Sequence, residues 1–568
     1  MFSQKIQLNG VLKMSKSVMN HSFSQVPKAE IPRSVFDRSH GHKTTFDADY
    51  LVPIFRDEVL PGDTVNLRAT LFCRLATPLK PFMDNLFMDV FHFFVPLRLL
   101  WENFQRFMGE QDNPADTTDF HIPQYDGLVY DDVHSLSDYF GLAIGKDVEV
   151  SAMYHRAYSK IYHDWFRDQN LIDAPVLNTG DGPDSISDYT LRKRCKKHDY
   201  FTSCLPWPQK GPDVYLPLQG NADVWGNHKS LVWTDGTYLN NTGYDTTSDA
   251  LSSDRDTQNE NVGGVLTSFT SPASKKLMGL MEKSQVTSGF TTSGLYADLE
   301  SVAAATINSI REAFQLQKLF ERDARAGTRY IEIIRSHFGV ISPDARLQRS
   351  EFLGSTSTRI NVNPVQQTSE TSYTGSPSTV KSAQGNLAAY AVGHESGSGY
   401  TKSFVEHGII MSFVNVRADI TYQQGIPRQF SRETRYDFYW PALAHLGEQP
   451  VLNKEIYAQD QSVVDLNGDP VNDNVFGYQE RWAELRYFPS QITGKFRSTY
   501  ATPLDNWHLS QEFGSLPVLG EEFILSDTPI SRVVAVPTEP QFLLDTYFDY
   551  KNARALPTYG VPGLVDHF

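Results

Sequence analysis

What this chain of 568 residues lacks narrows its possibilities before any motif is read. It holds only 3 cysteines, Cys73, Cys195 and Cys204. That is too few for a disulfide framework and fits a reducing cytoplasm. The opening MFSQKIQLNGVLKM has no apolar core followed by a small-residue cleavage site, so no export signal is visible, and Met14 is as good a start as Met1. The most apolar run, Leu86 to Leu100, is interrupted by Asp89, His92 and Arg98, which excludes a spanning helix and membrane insertion. Positive charge is in short supply. The 51 Lys and Arg against 67 Asp and Glu leave a formal net charge of -16. Such a balance argues against coating the outside of a nucleic acid, while leaving room for a local basic face. Internal repeats are absent too, and no composition break marks a linker.

Catalytic patterns are missing as well. There is no GxSxG elbow, no phosphate-binding GxxxxGK[ST] loop and no GxGxxG after a strand. His394-Glu395 has no second histidine at the distance a zinc protease needs. Asp465, Asn467 and Asp469 open like a calcium-binding loop, but Pro470 stands where glycine is needed and Phe476 where a bidentate glutamate is required. Cys195, His198 and Cys204 offer three soft ligands at irregular spacing without a fourth, so no metal is expected there. Carboxylates are plentiful, as in a glycosidase, yet nothing picks out a pair. The chain reads as a non-enzyme without a cofactor.

What is present has a clear order. Residues 1 to 45 are polar and aperiodic and read as an extended N-terminal arm, with one domain expected from 46 to 568. Val65, Leu67, Ala69, Leu71, Cys73 and Leu75 alternate with polar residues, the mark of a strand with one face in a core. Leu86 to Val95 is apolar on both faces, as in a strand covered above and below. Leu97 to Met108 reads as a short helix stopped at Gly109. In SAMYHRAYSKIYHDWFRDQ, Ser151 to Gln169, Met153, Ala157, Ile161 and Trp165 recur every fourth residue, with Tyr154, Tyr158, Tyr162 and Phe166 one place later. That spacing gives a helix with a broad aromatic stripe against a sheet, and His155, Arg156, Lys160, Asp164 and Arg167 on its polar side. Further helices are expected over 297–325, with Val302, Thr306, Ile310 and Phe314 as the apolar line, and over 329–338. Strict alternation returns from Val414 to Tyr422, and shorter strand-like fragments follow at Asp437–Trp440 and Trp482–Phe488.

Strands early and late, without βαβ alternation, favour an antiparallel two-sheet sandwich: a mainly β, eight-stranded jelly roll with long loops and several helices. Eight strands of usual length need only about a third of such a chain. Loops that fill the remainder stay ordered when neighbouring copies cover them, which points to an assembly protein. The longest loop region is Asn-, Thr-, Asp-, Ser- and Gly-rich, about 223 to 264, around Trp225, Trp233, Tyr238 and Tyr244. A stretch so long is disordered or a functional excursion. Its spaced aromatics favour a folded excursion that presents stacking surfaces for sugars or protein.

One charge feature stands out. Arg192, Lys193, Arg194, Lys196 and Lys197 crowd into six positions, followed by His198. In an extended segment, Arg192, Arg194 and Lys196 project one way, Lys193 and Lys197 the other. A solvated strand edge uses lysine to deter pairing. A nucleic-acid surface uses the same cations on phosphates, with His198, Tyr200, Phe201 and Trp207 near enough to stack on bases. The residues alone leave the two readings level.

Several long segments resemble the major capsid protein of microviruses, the small single-stranded DNA bacteriophages, and specifically their gokushovirus branch. They are YHRAYSKIYHDWFRDQNLIDAP, RKRCKKHDYFTSCLPWPQKG, RYIEIIRSHFGVISPDARLQRSEFLG, EHGIIMSFVNVRADITYQQGIPR and GYQERWAELRYFPSQITGKFR, followed by LDNWHL. They stand in family order from about residue 46 to 515. The family pattern more often has glycine at the position of Cys195, which weakens any metal reading further, and the excursion at 223–264 has no match.

The resemblance implies a jelly roll assembled as a homo-oligomer into the simplest icosahedral shell around a circular single-stranded DNA genome. It implies a variable surface insertion at about 206–290, clustered at threefold axes and contacting a host cell-surface receptor. An internal scaffolding protein and a DNA pilot protein would assist, with assembly in the bacterial cytoplasm and residence in the virion. A secreted carbohydrate-active enzyme or a sugar-binding module on the same fold is the competing class. The first needs an export signal and a carboxylate pair; the second needs no neighbours to cover its loops.

Overall fold

The structure is a computed structural model that describes residues 32–212 apart from 114, several strand and helix segments between 214 and 336, and residues 348–369, 372–375, 378–381 and 384–559. The chain divides into two compact units, one of residues 1–208 with 338–568 and one of residues 209–337.

The first unit is built on antiparallel strands β1 (Ser34–Asp37), β2 (His40–Phe46), β3 (Val52–Val59), β4 (Thr64–Leu75) and β5 (Leu86–Pro96). Later in the chain come β6 (Glu351–Gln366), β7 (Leu387–Ser403), β8 (Gly408–Ala418) and β9 (Phe542–Arg554). Their order is β1-β9-β4-β7-β6-β5-β8-β3, and β2 pairs with β9 beside β1. Since β1 and β2 share one edge of β9, these strands fill eight positions, those of a jelly roll. Strand β6 is the corner: its residues 351–360 pair with β5, and 361–366 with β7. The sheet therefore folds over, and its far ends face each other. Phe55 of β3 meets Phe548 of β9 at 5.0 Å and Tyr550 at 5.2 Å between ring centres.

Side-chain alternation explains where the core sits. In β4 the six alternating residues from Val65 to Leu75 are all buried, while Phe72 faces out. In β5, Leu86, Met88, Val90 and Phe94 enter the sandwich core, whereas Phe93 and Val95 face a second apolar layer. Strand β8 does the same: Ile410, Val414 and Val416 point inward, Ile409, Met411 and Phe413 outward. A strand that is apolar on both faces needs cover on both, and residues 97–191 supply it. A polar network also reaches into the core. His92 lies between Ser412 Oγ, 2.7 Å from Nδ1, and Ser398 Oγ, 3.0 Å from Nε2.

The covering layer is centred on helix α1 (Met153–Ile161), which continues as a π-helical turn over Tyr162–Phe166. Its apolar stripe packs on β5 and β8 as expected. The polar side departs from expectation, because His155, Arg156 and Asp164 are buried. Arg156 forms a two-bond ion pair with Asp184, Nε to Oδ2 at 2.7 Å and Nη2 to Oδ1 at 2.6 Å, and His155 Nε2 meets Ser137 Oγ at 2.9 Å. The loops on either side wrap the helix, so pairing replaces solvent. Trp165, in contrast, is 38% exposed at the end of the stripe.

Other expectations are corrected. Within the expected extended arm, residues 34–37 and 40–46 form strands on β9, and residues 1–31 lie outside the described residues. The alternation at 414–422 belongs to β8 only as far as Ala418. Asp437–Trp440 and Trp482–Phe488 are not strands: short 3-10 turns occupy Arg435–Asp437, Pro441–Leu443 and Ala483–Leu485, and their aromatic residues are mostly exposed.

In the second unit, Asp223–Gly226 pairs with Leu295–Asp298, Leu231–Thr234 pairs with Gly279–Glu282, and helix α2 spans Ile307–Arg325. Within α2 the expected apolar line is exposed at Phe314. The helix expected over 329–338 falls almost wholly outside the described residues. Among the described residues no helix is long and apolar enough to cross a membrane.

Candidate nucleic-acid interface

The basic segment is extended, but it is not an edge. Leu51 N donates to Arg192 O at 3.0 Å and Arg194 N to Asp49 O at 2.8 Å on one side. On the other, Ser526 N donates to Arg194 O at 2.9 Å and Lys196 N to Ile524 O at 2.8 Å. Main-chain partners on both flanks remove the strand-edge explanation for its lysines. The Tyr158 hydroxyl of α1 adds a third anchor, donating to Leu51 O at 3.1 Å and accepting from Arg192 N at 3.0 Å.

Most of the clustered cations are held by their own subunit. Arg192 lies 5.3 Å over the Tyr162 ring. Lys193 Nζ donates to Asp527 Oδ1 at 2.7 Å. Arg194 Nη1 donates to Asp89 Oδ2 at 2.5 Å, and its guanidinium sits 4.9 Å over the Phe91 ring. Asp89 also accepts from Ser357 Oγ at 2.5 Å and Arg417 Nε at 2.8 Å. Burial alone would raise the Asp89 carboxyl, but those hydrogen bonds and the two guanidinium charges hold it below its ordinary value. Lys196 is buried and donates to Phe523 O at 2.6 Å. Loss of hydration pulls its ammonium down to about 8, against the opposing pull of Asp199, Asp527 and Asp49. Only Lys197 and His198 of the cluster are exposed. Alternation therefore does not sort these residues into a free and a bound set. Tyr200 and Phe201, expected near enough to stack on bases, are buried in a separate apolar cluster with Cys204.

A different aromatic set completes the surface. An open cleft of about 380 Å³ is lined by Phe91, Phe93, Trp165, Phe166 and Phe352 together with the run Arg194 to His198. It lies within the ~300–1,000 Å³ range of small-ligand clefts. Trp165 and Phe352 face each other at 5.6 Å and present exposed ring surface. Phe93 packs on both, 5.8 Å from Trp165 and 5.6 Å from Phe352. Trp165 Nε1 donates to Ser350 O at 2.9 Å, which fixes the indole, and Arg349 lies 4.9 Å over its ring. Asp164 holds the same corner by accepting from Ser350 N at 2.8 Å and Ser350 Oγ at 2.9 Å. The π-helical turn carries Trp165 and Phe166, and both line the cleft. Cys195, with its thiol pushed up to about 11 by burial, lines the same cleft, apart from Cys204.

The arrangement is a fixed aromatic platform with cations at its rim. Stacking on such a platform tolerates every base, because each base has a π-face, and the rim cations suit phosphates. Phe91, Phe93, Arg349 and Phe352 were not singled out by the sequence reading. Arg349 and Phe352 do lie in one of the segments that carry the family resemblance. The four stretches meet only through the fold: β5, the end of α1, the basic segment and the start of β6. Of the residues proposed for host contact, Trp225 and Trp233 lie on the paired strands of the second unit, opposite Tyr296 and Leu280. Tyr238 and Tyr244 lie outside the described residues.

Comparison with known proteins adds to this geometry. A family model described as "Capsid protein (F protein)" matches residues 24–564. The chain belongs to this capsid protein family. "Capsid protein VP1" of Bdellovibrio phage phiMH2K is 44% identical over 98% of this chain and 100% of its own length. The VP1 proteins of Chlamydia phage 1 and Spiroplasma virus 4 are 43% and 34% identical over 96% and 97% of this chain. This capsid protein is thus a structural subunit of the microvirus type, gokushovirus-like, that assembles with other subunits into a capsid and resides in the virion.

Proposed function

We propose that this capsid subunit encloses a single-stranded DNA genome and that the cleft lined by Trp165 and Phe352 stacks bases of that genome against its exposed rings on the inner wall. The observation that carries this reading is the juxtaposition of exposed rings with Lys197 and Arg349 on a subunit whose net charge is -16. An acidic shell repels DNA unless cations are concentrated where the DNA lies. Here they surround a stacking platform. The shell is icosahedral and forms in the bacterial cytoplasm with an internal scaffolding protein and a DNA pilot protein, and the second unit contacts the host receptor. The insertion at about 206–290 that the family resemblance implies supports that last role through its polar composition and spaced aromatic residues.

The test is to replace Lys197 and Arg349 together by glutamate, since Arg194 and Lys196 are tied to the fold. Empty shells should form at normal yield while DNA-filled particles become rare. DNA released from opened wild-type particles should rebind with a salt dependence that loses roughly 0.7 in log-log slope for each cation removed. Normal DNA content in the double variant would refute the proposal.

A further inference from the structure

One surface of the first unit serves neither the core nor the cleft. The segments 428–446 and 482–488 hold their aromatic side chains outward: Phe430 is 75% and Phe488 80% exposed, and Tyr436, Phe438 and Trp440 are exposed beside them. This outward display is built, not loose. Asp437 accepts from Thr434 N at 2.7 Å and Thr434 Oγ1 at 2.9 Å, and Trp440 Nε1 donates to Arg435 O at 2.9 Å. Tyr439 meets Trp482 edge-on at 5.6 Å, while Trp482 adopts a left-handed backbone (φ 66°) secured by its N–H on Gln449 Oε1 at 3.0 Å. Exposed Arg435, Lys495 and Arg497 add positive charge. Aromatic residues and arginine are the types enriched in protein interfaces, and a contiguous apolar patch of this kind marks an interaction site.

A complementary surface lies elsewhere on the same unit. Between Glu110 and Val133 the chain has 7 acidic residues and no lysine or arginine. Asp119, Asp126 and Asp132 are exposed there, as are Val133 and Tyr130, the latter at 73%.

The acidic segment starts beside the Gly408 end of β8 and runs round to His134, whose Nε2 lies 2.9 Å from Thr45 Oγ1 on β2, while the basic surface lies past Ala418. At the Gly408 end, Leu97 N donates to His407 O at 3.1 Å, Phe104 packs on His407 at 5.9 Å, and Trp101 reaches Phe120 at 6.4 Å. Past Ala418, Thr421–Tyr422 pairs with Ser490–Gln491, and Gln423 Nε2 donates to Ser498 Oγ at 3.0 Å. A strand of 11 residues spans about 35 Å, which separates the start of the acidic segment from the basic surface of the same subunit.

We propose that the arginine- and aromatic-rich surface of one copy receives the acidic 110–133 segment of a second copy in a head-to-tail contact. A heterologous contact of this kind closes into a ring when its rotation permits, as a shell requires. Opposite charge steers the encounter, and the exposed rings and Tyr130 supply apolar contact.

The experiment uses two variants of the full chain, Arg435→Glu with Arg497→Glu, and Asp126→Lys with Asp132→Lys. Sedimentation and light scattering follow assembly beside wild type, whose own assembly tests capsid membership separately. All four positions are on the surface, so each variant should melt as the unassembled wild type does. Each should lose assembly by about tenfold or more at low salt. Mixing the two variants should produce complexes that neither forms alone, and all four changes in one chain should restore assembly. Wild-type assembly by either variant would overturn the proposal. Loss that neither the mixture nor the fourfold variant reverses would overturn it too, as would retained assembly with loss of only a scaffolding partner. Because the two pairs lie in separate segments of the chain, misfolding of one leaves the other as an independent test.

Discussion

Replacing Asp184 by alanine tests why α1 is stable where it is. The Asp184 carboxylate takes both guanidinium bonds of Arg156, and both side chains are only 2% exposed. Tyr189 also donates its hydroxyl to Asp184. After the substitution Arg156 keeps Leu100 O at 3.0 Å but is left with an uncompensated charge in a dry site. Removing one member of a buried pair costs about 3–5 kcal/mol. Since ~1.4 kcal/mol is tenfold, amide exchange from Ala157 to Ile161 should accelerate by about two to three and a half orders of magnitude. Replacing both partners with apolar residues, Arg156→Met and Asp184→Leu, should recover most of the loss. Mass-resolved hydrogen exchange on the unassembled subunit reads all three proteins. A change of less than about tenfold for Asp184→Ala would show that water reaches Arg156, and the closed layer over β5 and β8 would then be wrong.

Three further outcomes are expected. Burial holds the His92 and His155 imidazoles down to about 4 from an ordinary 6.5, so both are neutral in the fold. Their contribution is full above pH 6.5 and fades as pH falls toward 4, by up to about 3 kcal/mol each. Urea midpoints should fall over that window, and a flat profile would contradict the burial. Trp165→Ala removes a side chain that is 38% exposed and should cost only about 1–2 kcal/mol, less than full burial implies. Particles of this variant should retain less DNA at unchanged shell yield; unchanged DNA retention would count against stacking. Deleting residues 227–259 should leave shells intact and stop attachment to cells. Lost assembly with normal attachment would reverse that assignment.

Much of the fold is written in local periodicity. The alternation of Val65 to Leu75 gave β4 its buried face, and the two-faced apolarity of Leu86 to Val95 called for a covering layer. Strand β9 carries an equally clear signal in Phe542, Leu544, Thr546, Phe548 and Tyr550, which went unread among the prolines and aromatics around it. Strands β6 and β7 gave little signal because Ser, Thr, Asn and Gly fill both their faces. Pairing hid the rest. Arg156 and Asp164 look like solvent-facing residues until Asp184 and Ser350, distant in sequence, come to meet them. The basic cluster was visible as a charge run, but its partners Asp89, Asp527 and Phe523 were not. The aromatic half of the cleft needed β5 and β6 to be adjacent, which no short-range pattern specifies.

The central claim is that the Trp165–Phe352 cleft is a genome-binding surface inside a capsid. Electron cryomicroscopy of filled and empty particles tests it most directly. In filled particles, density stacked on Trp165 and Phe352 and flanked by Lys197 and Arg349 is expected on the inner wall, and empty particles should lack it. A cleft on the outer surface, or one occupied by a neighbouring subunit in both kinds of particle, would contradict the account.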